Sequence, residues 1–305
     1  MILRWFIILA LKPIPEADWL GAQRLFSREV LGHLCQALFY FMNAAELVQS
    51  GQLAEGLKAL QVEIRNKPED ARLRIFLFQL NCVLGRLDKA LTQLQVIASL
   101  NAETMLLAQI FRPVIACELL RREVFAGKRT AIIFGEPAEW VGLLAQADEL
   151  IAKREFDAAA ELRDKAFEAA PASPGKINGE PFEWIADADS RLGPVLEAVV
   201  EGRYYWIPFC RVQKIETEKP SDLRDLVWLP AQFTWTNGGT AVGHIPSRYI
   251  GTENSSDDAL RLARKTDWQS NPGETFLGFG QRVLVTDANE HPFLDCRRIE
   301  FTPGA

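Results

Sequence analysis

The side chains able to do chemistry are few and scattered. Cys296 and His291 stand five residues apart near the C-terminus, where a thiolate would need a base within hydrogen-bond reach and a third group to orient that base. A buried structural cysteine is the simpler reading of Cys296. Asp222, Asp225, Asp257 and Asp258 could pair as acid and base, but such a pair works only where an apolar pocket splits the two pKa values, and the chain marks no such pocket. Gly278-Phe279-Gly280 is a lone G-x-G followed by the β-branched run from Val283, where a dinucleotide-binding turn would open a helix. Gly127-Lys128 resembles the end of a phosphate loop, but Arg122 replaces its leading glycine and Arg129 its Ser or Thr. Three histidines (His33, His244, His291) without H-E-x-x-H or H-x-E spacing give a metal little to bind. No cofactor, metal or catalytic residue is expected, and a hydrolase or modifying enzyme using Cys296 or a carboxylate pair is the alternative.

The elements that would position these residues belong to a folded chain of 305 residues, 48% hydrophobic and 24% charged, long enough for two domains. A net charge of -6, with no run of five Lys and Arg, argues against tracking a phosphate backbone. Five cysteines, an odd number with no C-x-x-C pair, fit a reducing cytoplasm. The apolar stretch from Trp5 to Leu11 is far short of the roughly 20 residues that cross a bilayer, and no cleavage site follows it. Met42 stands directly ahead of a helical pattern, so residues 1–41 are expected to be a misassigned upstream extension.

From Asn43, Gly51, Leu53, Leu57 and Leu60 recur as Gly85, Leu87, Leu91 and Leu94, 34 positions on, which is the tetratricopeptide period. In each unit a glycine permits the turn and leucines line the next helix, while Gly56 or Ala90 allows a close helix crossing. Phe156 to Ala160 starts a third copy, and residues 103–125 form a helix expected to break near Pro113. Stacked helical hairpins would leave a groove for a partner segment, lined by Arg72, Arg74 and Gln79 if those residues are more than a solvated helix face.

The proline-rich stretch Ala170–Pro181 reads as a linker, dividing a helical-repeat domain at 42–172 from a β-rich domain at 173–305. A short helix over Trp184–Glu201 is expected after it. Seven strand-like runs follow, from Tyr204–Ile207 to Ile299–Phe301, with Asn237-Gly238-Gly239 as a hairpin turn and Ser255 with Asp258 as a capping box. The predicted fold is therefore multidomain α and β: tetratricopeptide-like helical repeats, then a small antiparallel β-rich domain curled like a barrel.

Five ordered runs in the second half carry a resemblance: Arg191–Glu197 (RLGPVLE), Gly202–Pro208 (GRYYWIP), Asp222–Ala231 (DLRDLVWLPA), Arg261–Trp268 (RLARKTDW) and Gly278–Arg282 (GFGQR). Together they resemble the ImpE family, also called SciE or TagJ, of type VI secretion accessory proteins, in an arrangement covering about Met42 to Phe301. Residues 1–41 and Ser247-Arg248-Tyr249 depart from it. The resemblance implies a non-catalytic cytoplasmic adaptor that binds the small sheath subunit TssB and acts near the ClpV disassembly ATPase, with no nucleic-acid or membrane partner. Trp206, Trp228, Tyr249 and Trp268 are candidate contact residues, because Trp and Tyr dominate binding hot spots, unless they fill the core of the β-rich domain.

Overall fold

The computed structural model describes residues 43–136 and 138–302. The proposed start at Met42 therefore lies outside the described residues. The chain divides into two compact units, 1–59 and 60–305. In the first, Asn43 caps helix α1 (Ala44–Gln49) through a reciprocal bond with Glu46. Gly51, at φ 83°, turns the chain into α2 (Leu53–Asn66). Gly56 lies so close to α1 that an added Cβ would stand 2.7 Å from Val48, the close crossing expected there.

The division falls within α2, whose residues 60–66 belong to the second unit; helices α3 (Ala71–Val83), α4 (Leu87–Ala98) and α5 (Ala102–Phe125) follow, then α6 (Glu139–Ala152) and α7 (Phe156–Ala169). Left-handed residues close two hairpins, Gly85 at φ 66° between α3 and α4 and Arg154 at φ 66° between α6 and α7. The break expected at Pro113 is absent. α5 runs through it for 24 residues, with the proline ring against Gly202, where a Cβ would come within 3.2 Å of it.

The β region corrects the predicted architecture in three places. Trp184–Glu201 is not a helix but strands β4 (Ile185–Asp187) and β5 (Val195–Val200), because Val195–Val200 is buried on both faces and apolar runs of that length do not declare their period. The supposed linker carries a hairpin, β2 (Gly175–Ile177) and β3 (Glu180–Phe182), turned by Asn178 and Gly179. The barrel does not close. Nine strands form one open sheet in the order β1-β6-β5-β9-β8-β7-β14-β2-β3, with β1 (Ile132–Ile133) and β3 at its edges.

Between these lie β6 (Arg203–Pro208), β7 (Val212–Thr217), β8 (Trp228–Trp235), β9 (Thr240–Pro246) and β14 (Arg298–Phe301), antiparallel throughout except for β1 beside β6. A hairpin of β10 (Thr266–Asn271) and β11 (Thr275–Gly280) and a three-stranded sheet of β13 (Glu290–Pro292), β12 (Val283–Thr286) and β4 complete the region. One core, including Leu196, Ile207, Phe233, Leu284, Phe293 and Ile299, joins the large sheet to the small one. The expected helix after Ser255 is a single turn, α8 (Asp258–Arg261), capped by Asp257 rather than Ser255.

Candidate functional site

The densest chemistry lies where α5 meets the large sheet. Phe111, Val114, Glu118, Arg121 and Phe125 recur at spacings of three and four, so they share one face of α5. That face meets β5, β6, β8 and β9: Phe111 packs edge-on against His244 and near Trp228, and Phe125 lies beside Trp206. On β5 the alternation sends Leu196, Ala198 and Val200 into the core between the sheets, and Glu197 to the opposite side, toward α5.

Glu197 is the centre of a buried ionic network. Arg121 donates to both of its oxygens, at 2.7 and 3.0 Å, and the Tyr204 hydroxyl and one arm of Arg282 complete its coordination. Trp206 Nε1 donates to the Tyr204 oxygen at 2.9 Å, in register beside Glu197. Arg282 spends its other donors on Asp187 at 2.6 Å and on the Pro246 carbonyl at 3.0 Å. The Tyr249 hydroxyl donates to Asp187, and the same oxygen accepts the Val283 amide. On α5, Glu118 accepts from Arg121 and from Trp228 Nε1. Arg248 reaches away from the carboxylates to cap two helix ends, donating to the Val83 carbonyl of α3 and to the Arg261 carbonyl of α8.

The electrostatics follow from these partners. Burial alone would raise the Glu197 pKa, but Arg121 and Arg282 outweigh it and hold the carboxyl down to about 2. At Asp187 burial prevails over Arg282 and lifts the pKa to about 6. Burial likewise lowers Arg248 to about 10. The side chains of Arg282, Asp187 and Glu197 have no solvent-exposed surface, so this constellation cannot meet a substrate as it stands. Its geometry is that of a clamp: carboxylates fully committed to guanidinium and hydroxyl donors, with one helix and four strands as the jaws.

The candidates from the sequence fall on both sides of this clamp. Trp206, Trp228 and Tyr249 are buried within it, outside the core that joins the two sheets. Gln79 is buried too, donating to Asp222 and accepting the Leu223 amide, so it ties α3 to the 3-10 turn Leu223–Leu226 instead of lining a groove. Arg72 is exposed, Arg74 half-buried with its Nε on the Pro68 carbonyl, and Trp268 40% exposed with its ring tilted on Tyr249.

Cys296 is buried, its thiol donates to the Pro292 carbonyl, and burial pushes its pKa up to about 12. His291 meets Thr286 instead. No group of three His, Cys, Asp or Glu among the described residues could hold a metal ion. The residues that reasoning from sequence missed are Glu118, Arg121, Glu197 and Arg282. Their signal was present as a charge inside an apolar stripe: Glu197 amid Val195–Val200, and Glu118 and Arg121 on the α5 face.

The five motif runs converge on this clamp. They supply Glu197, Tyr204 with Trp206, Trp228, the Arg261 carbonyl that Arg248 caps, and Arg282. Comparison with known proteins agrees. The family described as "ImpE protein" matches residues 179–300. The type VI secretion system accessory component TagJ of Pseudomonas aeruginosa is 50% identical over 262 residues, 86% of this chain and 92% of that protein. The crystal structure of protein VPA1032 from Vibrio parahaemolyticus superposes with a TM-score of 0.78 at 26% identity, covering 86% of this chain and 98% of that one. With a relative 50% identical matched over 92% of its length and the motif runs meeting at one clamp, the chain belongs to the ImpE family.

Proposed function

We propose that the chain is a non-catalytic adaptor of a type VI secretion system that works in the cytoplasm by holding the small sheath subunit, near the ATPase that disassembles the sheath. The observation that carries this reading is the 50% identity with the accessory component TagJ over 86% of the chain. The distribution of side chains supports it. The buried carboxylates Asp187 and Glu197 are locked inside the clamp, whereas α5 and the turn before it expose Leu100, Met105, Leu106 and Ile110, each at least 40% accessible, as an apolar face suited to an amphipathic partner helix. The hairpins α3–α4 and α6–α7 are read here as a degenerate tetratricopeptide array, with α5 inserted between its units. Arg72 and Arg74 on α3 and Trp268 on β10 are the remaining candidate polar and aromatic contacts.

The test is binding of purified protein to the isolated sheath subunit at two salt concentrations. A complex of about micromolar affinity is expected. Leu106→Asp and Ile110→Asp should speed dissociation at least tenfold with little salt dependence, while Arg72→Glu should alter the association rate and lose its effect in high salt. No complex at about 100 µM in either salt, with the protein folded, would overturn the reading for this partner.

A further inference from the structure

Asp148 is the one buried carboxylate whose two oxygens both lack a hydrogen-bond donor among the described residues. It lies on α6, 4% exposed, facing Trp206 and Val124 across a cavity of about 10 Å³, room for about one water molecule. Ala145, Ala131, Thr130, Arg129 and Glu149 complete the cavity wall. A buried ionised carboxylate without donors costs several kcal/mol, so native proteins supply a donor, a counter-ion or a proton.

Among the described residues no group donates to Asp148, and the cations around it are committed to other carboxylates. Arg191, the cation whose charge acts on Asp148, gives its backbone amide, Nε and Nη2 to Asp189, and its guanidinium stacks over Phe125. Arg129, at the cavity mouth, is paired with Glu123 and mostly exposed. The other charges that act on Asp148 are the carboxylates of Asp189 and Glu197, which repel a third negative charge. A proton is what remains.

We propose that Asp148 is a proton-controlled latch, which holds α6 against Trp206 and the end of α5 while its carboxyl is neutral and loosens that contact, admitting water to the cavity, when the carboxyl ionises. Burial first, and Asp189 and Glu197 after it, raise the Asp148 pKa well above the ordinary 3.8 against the opposing pull of Arg191. An acid that binds its proton more tightly folded than unfolded makes stability fall as pH rises, starting near the unfolded pKa and ending at the folded one. Asp187 contributes a similar arm, but that one ends near pH 6. The buried thiols of Cys82, Cys117 and Cys296, also raised by burial, add a slope of the same sign at alkaline pH, so the part that belongs to Asp148 is the part its substitution removes.

The experiment uses the full chain and compares it with Asp148→Asn, a shape-matched stand-in for the neutral acid. Between the unfolded pKa and the raised folded one the wild-type folding equilibrium constant should fall with rising pH by up to tenfold per unit beyond the arm of Asp187, and the folded variant should lose that excess. Hydrogen exchange of α6 amides such as Leu144 and Ile151 should accelerate with pH beyond the intrinsic chemical rate in the wild type alone. An infrared pH titration of the wild type should show, beside the carbonyl band of Asp187 that is lost near pH 6, the carbonyl band of a second neutral carboxylic acid that ionises above the ordinary 3.8. Absence of that band overturns the proposal even if the variant fails to fold, and so does an unchanged slope in a folded variant.

Discussion

Arg282 shows how much one side chain can carry. Its three nitrogens each meet a different acceptor, Pro246, Asp187 and Glu197, from three separate segments. Removing it leaves two carboxylates buried against each other, the situation that costs about 3–5 kcal/mol when one partner of a buried pair is lost. Arg282→Met is therefore expected to lower the free energy of unfolding by about that much in urea titrations. Arg282→Lys should be nearly as damaging, since a single ammonium cannot span the three acceptors. A loss below about 1 kcal/mol for the methionine variant would mean that the network contributes little. At this scale the sequence was legible only in part. The motif runs containing Glu197 and Arg282 stood out, but 85 positions separate the two residues, and nothing in one-dimensional spacing says that they touch. The aromatic residues gave the opposite lesson: Trp206 and Trp228 satisfy their indole donors internally, so their apparent suitability for a partner came from residue type without burial.

Among the elements, turns were the most readable, because glycines at positive φ announce themselves: Gly51 and Gly85 close helical turns, and Gly238 turns the β8–β9 hairpin. Elements buried on both faces were the least readable. β5 carries a single polar residue, Glu197, too little to reveal a period of two in a strand buried on both faces, and the Pro113 ring of α5 packs on Gly202. The proline-rich stretch before β4 was misread for a related reason, since its short strands gain their identity from β14, more than 100 residues downstream. Gly175 makes that pairing possible: a Cβ there would lie 2.0 Å from the Glu300 carbonyl oxygen. Wild-type protein is accordingly expected to resist mild protease across residues 170–181. Gly175→Ala should cost about 1–3 kcal/mol and open that stretch to cleavage. Ready cutting of the wild type there would favour the linker after all.

For the molecule as a whole, the clamp makes α5 and the sheet a single cooperative body. Residues 60–305 pack as one unit, and Arg121 and Glu118 complete the hydrogen bonding of Glu197 and Trp228. Near-ultraviolet signals from the clamp tryptophans and far-ultraviolet helix signals should thus report coincident unfolding midpoints. A fragment spanning 173–302 should not fold by itself, because Glu197 would keep Arg282 but lose both bonds from Arg121. A cooperative, native-like melt of that fragment would show that the sheet is self-sufficient.

Arg121 also constrains how such a protein can diverge. The guanidinium that satisfies Glu197 comes from a helix lying outside the matched stretch 179–300, so that stretch holds a buried carboxylate whose main cation it does not contain. A chimaera that grafts this sheet onto another relative's helices must bring matching partners for Glu197 and Trp228 at the junction. Substitutions on the two sides of that junction are tolerated only in compensating pairs, which ties the evolutionary drift of the helices to that of the sheet.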